Sequence, residues 1–179
     1  MIEQLFFDTD CLSSFLWVRN ENILVQLYGG KIVVPKQVYD ELSNPRVPHL
    51  KQKTDILLKD NHIEMGEIYV DSPEYSIYQE LTGVSGRPKK IIGKGEASAI
   101  AMSKVKNGIL ASNNLKDVMC YVKEFDLKHI DTGHILIEAI DEQIISFNEA
   151  EAIWLEMIKR RRTLPCGTFS EYANSIFGE

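Results

Sequence analysis

The chain has 179 residues, 44% of them hydrophobic and 26% charged, and a formal net charge of −6 at pH 7. This length suits one domain with a substantial core, and the acidic balance excludes a protein that binds polyanions through overall positive charge. Three widely spaced cysteines without a CxxC pair exclude a disulfide framework or zinc site, and the absence of a signal-peptide pattern or membrane-length apolar run predicts a cytoplasmic protein.

The first predicted element is an apolar strand that ends in carboxylates. Its residues 5–7 are Leu-Phe-Phe, and Asp8 and Asp10 follow directly. Ligands of open parallel α/β sheets bind outside the carboxyl ends of the strands, so we expect Asp8 at a functional surface. The apolar spacing over residues 11–19 then predicts a helix, with Thr9 or Asp10 as its N-cap.

Strands and helices alternate through the rest of the chain. Strands are predicted at 32–34, 63–65, 109–111 and 128–130, and helices over 23–28, 35–44, 50–57, 72–81, 95–102, 115–125, 132–139, 147–162 and 169–176. This alternation predicts an α/β fold in which helices flank a central, mostly parallel sheet of four to five strands.

Several oxygen-bearing side chains follow or begin these elements at positions that a parallel sheet brings to one edge. They are Asp8, Glu41, Glu96, Asn114 and Asp117. Each alone is equally well explained as a turn former, a helix cap or a solvated residue. Together they predict a site for a hard divalent cation, which prefers carboxylate and amide oxygens.

Four short motifs, in this order, resemble those of PIN-domain ribonucleases and of VapC-type proteins in particular. They are Phe7-Asp8-Thr9-Asp10, Val34-Pro35 through Val38-Tyr39-Asp40-Glu41-Leu42, Gly95-Glu96-Ala97-Ser98-Ala99-Ile100, and Leu110-Ala111-Ser112-Asn113-Asn114. The resemblance covers about residues 1–140. It departs at Asn114, where many members carry Asp, although Asp117 one helical turn later is placed to compensate.

The resemblance implies Mg²⁺- or Mn²⁺-dependent hydrolysis of RNA by a single PIN-like α/β/α domain over 1–179, with helices of 145–179 packed on the motif-bearing part. It also implies a homodimer and a possible cognate antitoxin, as in a toxin–antitoxin pair. The expected catalytic residues are Asp8, Glu41, Glu96 and Asp117, and the expected metal ligands are Asp8, Glu96, Asn114 and Asp117. The expected substrate contacts are Thr9, Asn113, Lys94, Lys90 and Arg87.

Two other functions fit parts of the sequence. A haloacid-dehalogenase-like phosphatase would use Asp8 as its nucleophile and Asp10 as its acid/base. A non-catalytic PIN-like module would bind RNA or protein, and Asn114 in place of an acid favours it. Outside the motifs, we assign Trp17 to the core or an interface, and residues 160–162 to helix capping.

Overall fold

The computed structural model describes residues 3–84 and 90–178. Within these ranges, the strands form one fully parallel sheet in the order β3-β2-β1-β4-β5. The strands are β1 (Leu5–Phe7), β2 (Ile32–Pro35), β3 (Ile63–Gly66), β4 (Ile109–Ala111) and β5 (Lys128–Ile130). The helices are α1 (Thr9–Trp17), α2 (Glu21–Tyr28), α3 (Lys36–Leu42), α4 (Pro48–Lys59), α5 (Pro73–Leu81), α6 (Lys94–Lys106), α7 (Leu115–Phe125), α8 (Thr132–Asp141), α9 (Phe147–Lys159) and α10 (Phe169–Phe177).

Successive residues of the central strands point into two separate cores. Phe7 and Val34 pack with α1 to α4 and α8 to α10 on one face of the sheet. Phe6 and Val33 pack with α5 to α7 on the other face. Since the side chains of a strand alternate between faces, a strand covered on both sides must be apolar throughout, as the short runs here are. The fold is therefore the predicted α/β/α sandwich, with five parallel strands.

The strand order places a switch point at the carboxyl end of β1. The chain proceeds from β1 to β2 and β3 on one side, and then crosses to β4 and β5 on the other. At this point the Asp8 N–H donates to the Ala111 carbonyl at 3.0 Å. Ligands of such folds bind in the crevice where the order reverses, so the polar residues that follow β1 and β4 are the first candidates for a site.

The last three helices share the core of the first strand. Trp154 and Phe169 are fully buried in the same cluster as Phe7. A side chain at Gly133 would overlap the Tyr172 ring, so α10 lies directly against α8. In the described ranges, no helix is long and apolar enough to cross a bilayer.

Candidate active site

Asp8 is the residue around which the site is built. It is the N-cap of α1, and its Oδ1 accepts from the Cys11 N–H at 2.8 Å, so the predicted cap at Thr9 or Asp10 is wrong. Its Oδ2 is buried without a hydrogen-bond partner among the described residues. Burial raises the pKa of Asp8 to about 7. The Ser112 hydroxyl, which is nearby but makes no hydrogen bond of acceptable geometry to Oδ2, and the Cys11 N–H oppose this rise, and the negative charges of Asp10 and Glu96 add to it. A buried carboxylate in this state is expected to take up a proton or a cation.

Glu96 lies in the first turn of α6 and faces the start of α7. Its Oε1 accepts from Asn114 Nδ2 at 2.6 Å, and its Oε2 accepts from the Gly93 N–H at 3.3 Å. The same Asn114 amide donates to Asp117 Oδ2 at 2.8 Å. Burial raises the pKa of Glu96, and the hydrogen bonds from Asn114 and Gly93 oppose that rise. Asn114 therefore bridges two of the predicted acids through its nitrogen, whereas the predicted metal contact requires its oxygen.

Glu41 is held by the first turns of two other helices. It accepts from the Thr9 hydroxyl and, at 3.0 Å, from the Gly95 N–H. A Cβ at Gly95 would lie 2.7 Å from both Glu41 Oε2 and Thr9 Oγ1. A side chain at position 95 would therefore displace the Glu41 carboxylate or the Thr9 hydroxyl, and the contact joins three of the four sequence motifs.

Asp10 belongs to the site, although the sequence motifs led us to leave it out of the metal ligands. It lines a cleft of about 240 Å³ together with Thr9, Glu41, Gly93 and Glu96. Its charge also acts on Asp8 and Glu96, raising the pKa of each. The signal was its position in the first turn of α1, directly after the strand that ends at Phe7.

The predicted substrate contacts have different environments. Lys90 forms an ion pair with Asp117, which lowers the pKa of that carboxyl, and Lys94 begins α6. Asn113 is buried, with its Oδ1 accepting from the Thr132 N–H at 2.9 Å and its Nδ2 donating to Ser14 at 3.3 Å. Its amide therefore joins elements of the fold through both of its polar atoms. Arg87 lies outside the described residues.

The carboxylate oxygens of the site suit a hard divalent ion, although the described residues do not form a complete set of metal ligands. Over residues 3–84 and 90–178, no three His, Cys, Asp or Glu side chains converge as metal ligands. Mg²⁺ does not require such a set, because it keeps several waters and is commonly held by one or two carboxylates. The unpartnered Asp8 Oδ2 and the neighbouring Glu96 supply oxygens of that kind.

Comparison with known proteins identifies a family and a solved structure of similar fold. A family model described as a PIN domain matches residues 4–173. A chain in the crystal structure of VapBC2 from Rickettsia felis, bound to a DNA fragment from their promoter, is 18% identical to this chain. The match covers 71% of this chain and 97% of that chain, with a TM-score of 0.48. No curated protein gave a match.

Proposed function

Because this chain belongs to the PIN-domain family, we propose that it is a metal-dependent endoribonuclease that hydrolyses RNA phosphodiester bonds. PIN domains are generally nucleases. The observation that carries the proposal is the Asp8 carboxylate, fully buried at the switch point with one oxygen unpartnered. Burying a carboxylate in this way destabilises the fold, so its presence favours a binding role.

In this proposal Asp8 and Glu96 hold the ion, which is Mg²⁺ or Mn²⁺. A divalent ion bound there supplies a low-pKa water and stabilises the negative charge that develops on the phosphate. Glu41, oriented by the Thr9 hydroxyl and the Gly95 N–H, is placed on the cleft wall to accept a proton from the attacking water. Asn114 keeps Glu96 and Asp117 in position through its amide.

A matched set of carboxylate variants tests this function. Purified protein is incubated with a pool of single-stranded and structured RNA in Mg²⁺, in Mn²⁺ and in EDTA. We expect Asp8→Asn and Glu96→Gln to abolish metal-dependent cleavage while leaving the fold intact. Asp40→Asn is the control, because Asp40 is exposed beside Glu41 and forms an ion pair with Lys36. Cleavage in EDTA, or by both site variants, would overturn the proposal.

The non-catalytic module is the second candidate. It is favoured by Asn114, and by Glu41, Glu96 and Asp117 all having hydrogen-bond donors within the protein. Metal binding at Asp8 without cleavage of any RNA would support it. The phosphatase alternative is weaker, because such an enzyme needs an acidic pair after a late strand, and β4 is followed by Ser112, Asn113 and Asn114 instead.

The same proposal includes the domain, location and partners that the motifs imply. We take 1–179 as one domain, since Trp154 and Phe169 share the core of Phe7, and removal of 145–179 is expected to abolish cooperative unfolding. The motifs' likeness to VapC-type proteins supports a cytoplasmic homodimer neutralised by a small antitoxin. Sedimentation of the purified chain tests the homodimer, which a monomeric mass would contradict.

A further inference from the structure

A second cleft lies at the opposite end of α1 from Asp8. Its volume is about 620 Å³, and Trp17, His49 and Arg160 are among its lining residues. Trp17 rests against the core but remains partly exposed. The His49 ring meets the indole edge-on, with ring centroids 4.6 Å apart, and the Arg162 guanidinium stands over the indole, 5.3 Å from its centroid. The cleft therefore presents an aromatic ring covered by an arginine plane.

Positive charge is concentrated around this ring, although the whole chain carries −6. Lys53 and Arg160 line the cleft and form ion pairs at its rim, with Glu21 and Glu156 respectively. Arg19 lines it too and forms no ion pair with any described residue.

Arg162 is similarly without an ion pair in the described ranges, and two contacts fix its position. Its Nε donates to the Arg160 carbonyl at 3.1 Å, and its guanidinium lies over Trp17. Helix α9 ends at Lys159, and Arg161 then takes a φ of 58°, so the chain turns before Arg162. A guanidinium fixed in this way, with N–H groups left over, is preorganised for a phosphate.

Helix α1 runs between this cleft and the acidic one, with its residues 11–16 buried. Asp10 is in its first turn and Trp17 is its last residue. Residues seven apart lie on the same face of a helix, about 10 Å apart along its axis. Burial lowers the pKa of Arg162, and the charge of Asp10 opposes this effect.

We propose that the Trp17–Arg162 pair, with Arg19 and Arg160, binds the nucleotides of a single-stranded RNA that flank the phosphate at the acidic cleft. This inference rests on the proposed nuclease function. Unpaired bases stack on aromatic rings and on arginine planes, whereas the bases of a duplex are inaccessible to such stacking. An acidic catalytic cleft repels the RNA backbone, so cations beside it are needed to retain the strand. The separation of about 10 Å between Asp10 and Trp17 along α1 corresponds to about three stacked nucleotides at about 3.4 Å each.

Binding measurements on an inactive background test the cleft. Asp8→Asn protein in EDTA is titrated with a short fluorescent single-stranded RNA. The titration is repeated with double variants that add Arg162→Gln, Trp17→Phe or the control Arg161→Gln to Asp8→Asn. We expect Arg162→Gln to weaken binding about tenfold and to reduce the salt slope by about one, because one charged phosphate contact is lost. Arg161→Gln removes the same charge from an exposed neighbour and should leave both quantities unchanged.

Tryptophan fluorescence gives a second readout. The chain has two tryptophans, and Trp154 is fully buried. RNA should therefore quench the emission of Trp17, and Trp17→Phe should remove this quenching without unfolding the protein.

The outcomes separate this inference from the nuclease proposal. If wild-type protein cleaves RNA but Arg162→Gln and Arg161→Gln bind it equally, the cleft assignment alone is overturned. If wild-type protein cleaves nothing but the binding pattern is as expected, the nuclease proposal fails and the cleft stands. Tighter binding of the same strand as DNA would overturn the assignment to RNA, and so would absence of any binding.

Discussion

The buried carboxylate of Asp8 should make the metal-free protein less stable than its Asp8→Asn variant at neutral and alkaline pH. The folded-state pKa, about 7, lies above the ordinary 3.8, so the folded protein resists ionisation of this group. The loss of stability from ionising Asp8 is absent below the pKa of the unfolded state, grows between the two pKa values and is complete above pH 7. A separation of this size corresponds to about 4 kcal/mol of lost stability.

The substituted amide recovers only part of that free energy. Asparagine is as good an N-cap as aspartate, so the bond from the Cys11 N–H is retained. Its NH₂ group replaces the unpartnered Oδ2, and an unsatisfied buried donor costs about 1–3 kcal/mol. We therefore expect Asp8→Asn to be more stable than wild type by about 1–3 kcal/mol above pH 7, and to lose this advantage below about pH 4.

Urea unfolding in EDTA, followed by circular dichroism across this pH range, measures the difference. Asp40→Asn is again the control, because it makes the same change from carboxylate to amide at an exposed position. Adding Mn²⁺ should stabilise wild type more than Asp8→Asn, since the variant has lost one of the two carboxylates that we propose hold the ion. If Asp8→Asn is less stable than wild type at alkaline pH in EDTA, the buried Asp8 carboxylate does not destabilise the metal-free fold as we infer.

Three further changes test other contacts. Gly95→Ala places a Cβ 2.7 Å from two side-chain oxygens of the cleft, so RNA cleavage should fall at least about tenfold. The free energy of unfolding in urea should change by less than about 1 kcal/mol. Unchanged cleavage would contradict the close approach of α6 to α3. Gly133→Ala overlaps the Tyr172 ring in the core and should cost about 1–3 kcal/mol in the same unfolding assay. The hydrogen bond to Asp131 raises the pKa of His134, so the pair stabilises the fold fully below the ordinary pKa of 6.5. This contribution disappears as pH rises through the pKa of His134 in the folded protein. His134→Gln should remove this part of the pH dependence of the free energy of unfolding.

The fold could be predicted from the sequence because its strands are short apolar runs separated by amphipathic helices. The same pattern located Asp8 and Asn114 at one edge, since the carboxyl ends of parallel strands meet there. The cap of α1 could not be predicted, because Asp8, Thr9 and Asp10 are all good N-caps and the pattern does not fix the first helical residue.

Contacts between side chains could not be predicted from the sequence. Asn113 and Asn114 are adjacent and chemically identical, yet the first is buried among structural bonds and the second faces Glu96. Only the backbone rotation after β4 distinguishes them. The bond between Glu41 and the Gly95 N–H joins residues 54 positions apart, and no local pattern encodes that approach.

The position of Asn114 explains how an acidic site keeps its shape before an ion binds. Glu96 and Asp117 both accept from its one NH₂ group, so their mutual repulsion is offset by a shared donor. An aspartate at this position would replace that donor with a third negative charge. Asp8 is then the one carboxylate of the described site left with a buried, unpartnered oxygen. A cation would therefore stabilise Asp8 most, at the switch point of the sheet, while Glu41, Glu96 and Asp117 are already held by hydrogen bonds.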